Sequence, residues 1–227
     1  LALAQIGAAY VLGRDLFGRR ADLAAAYLLA TIPVLLHWAS TGYTDVPAGT
    51  YSLLAMIMAW RLFRTPHPVY ALLAGVLGGL AAFTKNGALL MAGSLAGWVI
   101  YAWWYARRAD DPDGQAIRWR HSALMVGGWL AVSGIWYAHA LLQFGYLIPP
   151  TGWTDQAQHT IAALFGPALT PNQFMLGGAI PLLGMAGMLV LLWRARWAFE
   201  PRAALLLGFG VPFWLVWWAL FSYDMRF

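Results

Sequence analysis

Two charged residues stand where a mostly apolar chain has least use for them. Asp45 sits in Ser40-Thr41-Gly42-Tyr43-Thr44-Asp45-Val46-Pro47, and Lys85 lies between Ala81-Ala82-Phe83-Thr84 and Asn86-Gly87. A carboxylate can accept a proton or orient a hydroxyl, and an ammonium is a compact point charge suited to phosphate. Each also has a plainer reading. Asp before Val-Pro is well placed to cap a helix, with Pro47 as an early helical residue. An interfacial lysine often does no more than snorkel. Lys85 is nevertheless the only lysine in a chain that otherwise uses arginine.

Other candidates carry a weaker signal. Asp155 and His159 are spaced i, i+4, on one face if that stretch is helical. They could hold a divalent metal ion, although two ligands without visible partners favour a surface hydrogen bond. Trp153 and Tyr146 could line a sugar site or belong to an aromatic interface belt. Arg226, in Tyr223-Asp224-Met225-Arg226-Phe227, follows the same logic as Lys85. His139 and Gln143 are one turn apart in an apolar run, where they are expected to satisfy each other or a neighbouring helix.

The elements that position these residues must be membrane helices. The chain of 227 residues is 61% hydrophobic and 10% charged, with a mean hydropathy of +0.61; a soluble domain carries about a quarter charged residues. Its 14 Trp, 10 Tyr and 11 Phe suit aromatic belts at two interfaces. Without cysteine it has neither disulfides nor thiolate metal sites. A crossing helix needs about 20 apolar residues. The runs at 1–13 (partial), 22–39, 46–63, 69–84, 87–106, 122–143, 173–193 and 203–222 are the candidates. The expected fold is therefore all-α and polytopic, a single transmembrane domain over 1–227 with about seven spans plus a truncated first one. Both ends read as cut.

Charge decides whether 69–84 and 87–106 are one helix or two. As two, the loops at 14–20, 61–68, 107–120 and 194–202 share one side, and all but two of the 14 basic residues lie there. By the positive-inside rule that side is cytoplasmic. This distribution also makes the net charge of +5 a topology signal and not a nucleic-acid-binding face. Lys85 and Arg226 remain for the outer side with Asp45, Asp155, Asp224 and His159, and ionisable groups there are functional candidates. The outer segment 144–172, with Pro149, Pro150, Pro167 and Pro171, reads as an ordered loop.

The order of these features resembles a known family. Gly13-Arg14-Asp15-Leu16-Phe17-Gly18-Arg19-Arg20 precedes an Ala-rich helix with Pro33, then come Thr44-Asp45-Val46-Pro47 and Ala74-Gly75-Val76-Leu77-Gly78-Gly79-Leu80-Ala81-Ala82-Phe83-Thr84-Lys85. The series is similar to the membrane core of bacterial GT-C glycosyltransferases of the protein-mannosyltransferase and aminoarabinose-transferase group. Tyr223 to Phe227 looks like the start of that group's Arg-aromatic motif. The resemblance implies an inverting enzyme of the cell envelope, in the inner (plasma) membrane, with a periplasmic or extracellular active face. Its partners would be a polyprenyl-phosphate-linked sugar donor, a lipid or protein acceptor and membrane lipids. Asp45 matches an acidic residue at an outer helix mouth, and Lys85 matches a basic residue that binds carrier phosphate. The family's leading catalytic acid lies in a large first outer loop, upstream of residue 1. The rival classes are a transporter or lipid-carrier flippase, which needs ionisable groups near the midplane and paired broken helices, and a non-catalytic assembly subunit.

Overall fold

The structure, a computed structural model, describes residues 1–32, 35, 39–40, 44–108, 117–147, 186–187, 189–190, 193–194 and 200–221. Every regular element among them is helical. The protein is an all-α membrane protein, and three stretches are long and apolar enough to cross a bilayer: Asp45–Arg64, Asn86–Arg108 and Trp119–Phe144. Pro68–Thr84 and Pro201–Phe213 are shorter apolar helices. The expected span at 173–193 falls almost wholly outside the described residues.

Local chemistry places the breaks. Helices α1 (Ala2–Phe17) and α2 (Arg19–Ala30) fold back on each other at Gly18, whose φ of 85° is a left-handed conformation open to glycine. Helix α3 (Asp45–Arg64) leads through Thr65-Pro66-His67 into α4 (Pro68–Thr84), with proline at the first helical position. The backbone turns extended at Lys85, with φ −148° and ψ 127°. One 3-10 turn (Asn86–Leu89) then starts α5 (Leu90–Arg108). Helix α6 (Trp119–Trp129) runs through a π turn (Leu130–Gly134) into α7 (Ile135–Phe144), which ends on left-handed Gly145. Helix α8 (Pro201–Phe221) starts at Glu200, whose carboxylate accepts hydrogen bonds from the amides of Arg202 and Ala203.

The two-helix reading around Lys85 holds. A Cβ placed on Gly78 in α4 would lie 2.8 Å from a Leu95 methyl and 3.3 Å from Met91 Cγ in α5. In one straight helix, Gly78 and Leu95 would be about 25 Å apart at 1.5 Å per residue, so the chain doubles back. Leu62, Ala71, Ala102 and Ile117 pack together, gathering the end of α3, the start of α4, the end of α5 and the approach to α6. The opposite end is closed by Ala48, Ala81 and Ala88. Arg61, Arg64, Arg107, Arg108, Arg118 and Arg120 therefore share one end of the bundle, to which Asp15 ties α1 by an ion pair with Arg61 at 2.9 Å. A cysteine replacing Thr65 should react with an impermeant thiol reagent from one face of the membrane, and one replacing Tyr146 only from the other. Labelling of both from the same face would refute this alternation.

The aromatic belts account for only some of the rings. Trp103, Trp104 and Trp119 are exposed at the arginine end, with the Arg108 guanidinium 4.4 Å above the Trp104 ring. Trp60 and Trp98 are instead core residues, 4% and 3% exposed. Their rings lie 6.3 Å apart, and Phe63 packs against both. The buried indole N–H of Trp98 donates to the Ala59 carbonyl at 3.0 Å, so the core placement leaves no orphan donor there.

Candidate functional site

Helices α3 and α4 are antiparallel neighbours, so the beginning of one lies beside the end of the other. That geometry joins Asp45 and Lys85, which are 40 residues apart in sequence: the Lys85 ammonium donates to a carboxylate oxygen of Asp45. Each side chain is 30% exposed. Ala48, Ala81 and Ala88, with partly buried Tyr51 against them, form the apolar cluster at this end. The pair lies at the end of the bundle opposite the arginines.

Each charge also suits its helix terminus. Asp45 opens α3, where the partial positive charge of the helix dipole favours an anion, and Lys85 closes α4, where a cation is favoured. The structure corrects one expectation here. Thr44 occupies the N-cap position, without a side-chain cap bond, and Asp45 is already inside the first turn. The Asp45 carboxylate is engaged by Lys85, so the capping reading gives way to an ion pair. Lys85 is held through its main chain as well. Its amide donates to the Ala81 carbonyl at 3.0 Å, and its own carbonyl accepts from the Ala88 amide at 2.9 Å. It also makes contacts besides that with Asp45.

A partly solvated carboxylate–ammonium pair at a membrane interface can do more than pin two helices. The ammonium brings three N–H donors and the carboxylate two acceptor oxygens. A phosphate approaching from the headgroup region meets a cation whose side chain is already held in place by its partner.

The other expected residues fare differently. Tyr146 lies just beyond α7, at the same end of the bundle as the pair, 38% exposed. Its ring stacks on Phe144 with centroids 5.9 Å apart, as a belt residue would. Trp153, Asp155, His159 and Arg226 lie outside the described residues. Among the described residues, no three His, Asp or Glu side chains gather where they could hold a metal ion.

The pairing expected of His139 and Gln143 does not form. Both are exposed, and the His139 ring lies against Trp136 and Phe144. Their exposure follows from the π turn. The buried positions run 121, 125, 128 in α6, and an uninterrupted α-helix would continue them near 132, 135 and 139. They continue instead at 133, 137 and 140. One residue is absorbed by the wider turn, and everything beyond it rotates.

The sequence reading missed Tyr137. It is buried, its hydroxyl donates to the Ala82 carbonyl at 2.9 Å, and its ring stacks on Trp129. It also missed how closely α4 and α6 approach. A Cβ on Gly75 would lie 2.7 Å from the Met125 carbonyl carbon, nearer still to its oxygen, and one on Gly128 would lie 2.9 Å from the Leu72 oxygen. A signal for this existed in the small residues Gly75 and Gly79 spaced i, i+4 in one apolar run and in Gly127-Gly128 in another.

Comparison with family sequence profiles matches residues 1–113 to the family described as dolichyl-phosphate-mannose-protein mannosyltransferase. The matched stretch contains Asp45, Lys85 and helices α1 to α5. No curated protein and no solved structure matches the chain.

Proposed function

We propose, from the premise that residues 1–113 belong to the dolichyl-phosphate-mannose-protein mannosyltransferase family, that the Asp45–Lys85 pair is the phosphate-holding corner of a membrane glycosyltransferase. The donor is a sugar on a polyprenyl-phosphate carrier, and the acceptor is a lipid or protein hydroxyl at the outer face of the membrane. The observation that carries this reading is the convergence of the only lysine and an acid on one half-exposed corner, away from the arginine end. By the positive-inside rule the corner then faces the periplasm or the cell exterior.

In the transfer, the acceptor oxygen bonds to the anomeric carbon and its proton passes to water at the outer face. The bond from that carbon to the phosphate oxygen breaks, and the phosphate leaves with the electron pair. Lys85 stabilises the charge gathering on the phosphate, an electrostatic contribution of the kind that dominates many enzyme reactions. Asp45 holds the ammonium in position and offers carboxylate oxygen to a sugar or acceptor hydroxyl. The location of the pair at the end of the bundle supports a carrier-phosphate site over a transport pathway, which calls for ionisable groups near the midplane.

The test is sugar transfer from polyprenyl-phosphate-linked mannose by the whole protein reconstituted in liposomes. Asp45→Asn should leave membrane abundance near normal, because a half-exposed ion pair contributes about 1 kcal/mol at most, while transfer falls at least about tenfold, equivalent to about 1.4 kcal/mol in the barrier. Normal transfer by Asp45→Asn, with Asp45→Ala failing only through loss of protein, would reduce the pair to a structural pin.

A further inference from the structure

We propose that Tyr137 is a positioning residue for Lys85, kept within reach of it by the π turn; the inference rests on the reading of Lys85 given above. The last carbonyls of a helix have no amide of their own turn to accept from. In α4 this shortage falls on the residues just before Lys85, because the backbone there turns extended. Three donors reach the carbonyls at this end, and of those carbonyls only Ala82 is left without an amide of its own helix. The Thr84 hydroxyl donates to the Leu80 carbonyl at 2.6 Å, the Lys85 amide to Ala81 at 3.0 Å, and the Tyr137 hydroxyl to Ala82 at 2.9 Å. The first two are local. Of the three, only the third comes from another helix: it ties a carbonyl at the end of α4 to α7, while the Lys85 side chain ties the same end to Asp45 in α3.

The frame that α6 and α7 provide is closely packed. Trp129 and Tyr137 are 10° from parallel, with ring centroids 6.0 Å apart. Beneath them α4 and α6 meet backbone to backbone at Gly75, Gly79 and Gly128. Trp129 and Tyr137 stand eight positions apart in the chain, which at 100° per residue would leave them about 80° apart around a regular α-helix. The π turn takes up one residue, reduces the offset to about 20°, and turns both rings onto the face toward α4. The Ser133 hydroxyl donates to the Trp129 carbonyl inside that turn at 3.0 Å. The inserted residue is thus what brings a phenol to the end of α4, three residues before the ammonium.

Tyr137→Phe keeps the ring and its stack and removes only the hydroxyl. In the whole protein in nanodiscs, amide hydrogen exchange at Lys85 and Ala88 should quicken about tenfold. With polyprenyl-phosphate-linked mannose as donor, KM should rise three- to tenfold while kcat stays within twofold. A role in packing alone would lower the yield of folded protein or kcat and leave KM unmoved. Unchanged exchange at those two amides would overturn the tether outright. Faster exchange with a wild-type KM, in a preparation where Lys85→Met has lost binding of undecaprenyl phosphate, would overturn the positioning role and leave the proposed function standing. Wild-type undecaprenyl phosphate binding by Lys85→Met would remove the premise, and the proposed function with it.

Discussion

Replacing Lys85 with methionine is expected to reduce donor binding or sugar transfer between about tenfold and a hundredfold. A hydrogen bond to a charged group contributes about 1.5–3 kcal/mol, and each 1.36 kcal/mol is about a factor of ten in rate. Methionine retains the apolar stem of the side chain, so local packing is largely preserved. What disappears is the charge. The ion pair with Asp45 is lost in the same step, but both side chains are 30% exposed. A pair with that much solvent contributes about 1 kcal/mol at most to stability, which separates an effect on folding from one on donor. Lys85→Arg should retain part of the activity, since it keeps the charge and changes its shape. The measurement is undecaprenyl phosphate binding and mannose transfer by the whole protein, each normalised to folded protein. A methionine variant that binds and turns over like wild type would make Lys85 an interfacial anchor.

The largest stability effects should come from two glycines without chemistry. Gly128→Ala places a methyl 2.9 Å from the Leu72 oxygen, 3.1 Å from the Val76 nitrogen and 3.2 Å from a Leu72 methyl. Two of those three neighbours are backbone atoms, which cannot swing aside. Gly75→Ala is worse, with the whole Met125 peptide carbonyl in the way. The helices must separate, and overpacking of this kind costs about 1–3 kcal/mol. Separation also loosens the π turn and the Tyr137 tether above it, so activity should fall with stability. The control lies one residue away. Gly127 has nothing within 4 Å of its would-be Cβ, and Gly127→Ala should be neutral or gain up to about 1 kcal/mol from helix propensity. Thermal unfolding in detergent, followed by loss of the monodisperse peak, distinguishes them. Equal behaviour of Gly127→Ala and Gly128→Ala would refute the close crossing of α4 and α6.

Much of this was legible because membrane chemistry writes itself into composition. Apolar runs long enough to cross a bilayer, and arginines gathered in alternate loops, set the helix order and the break at Lys85. The same regularity made Asp45 and Lys85 conspicuous, since neither is required by topology. The buried Trp60 and Trp98 were not separable from belt residues, because tryptophan suits both places and only the neighbours of the helix decide between them.

By itself, then, the sequence determined that this is a bundle of membrane helices with most of its arginines gathered at one end and Asp45 and Lys85 set apart from them. Hydrophobic length and charge placement are one-dimensional quantities, and solvation by the bilayer acts on them directly. Tertiary structure decided which groups meet. Asp45 pairs with Lys85 because antiparallel α3 and α4 bring two helix ends together across 40 residues of chain. Thr44, and not Asp45, took the cap position. Tyr137 faces α4, with His139 turned outward, because the π turn shifts the register by one residue. A single extra residue in a turn leaves no mark on composition or hydropathy. Its effect is a rotation, and a rotation acquires meaning only when a second helix is there to be faced.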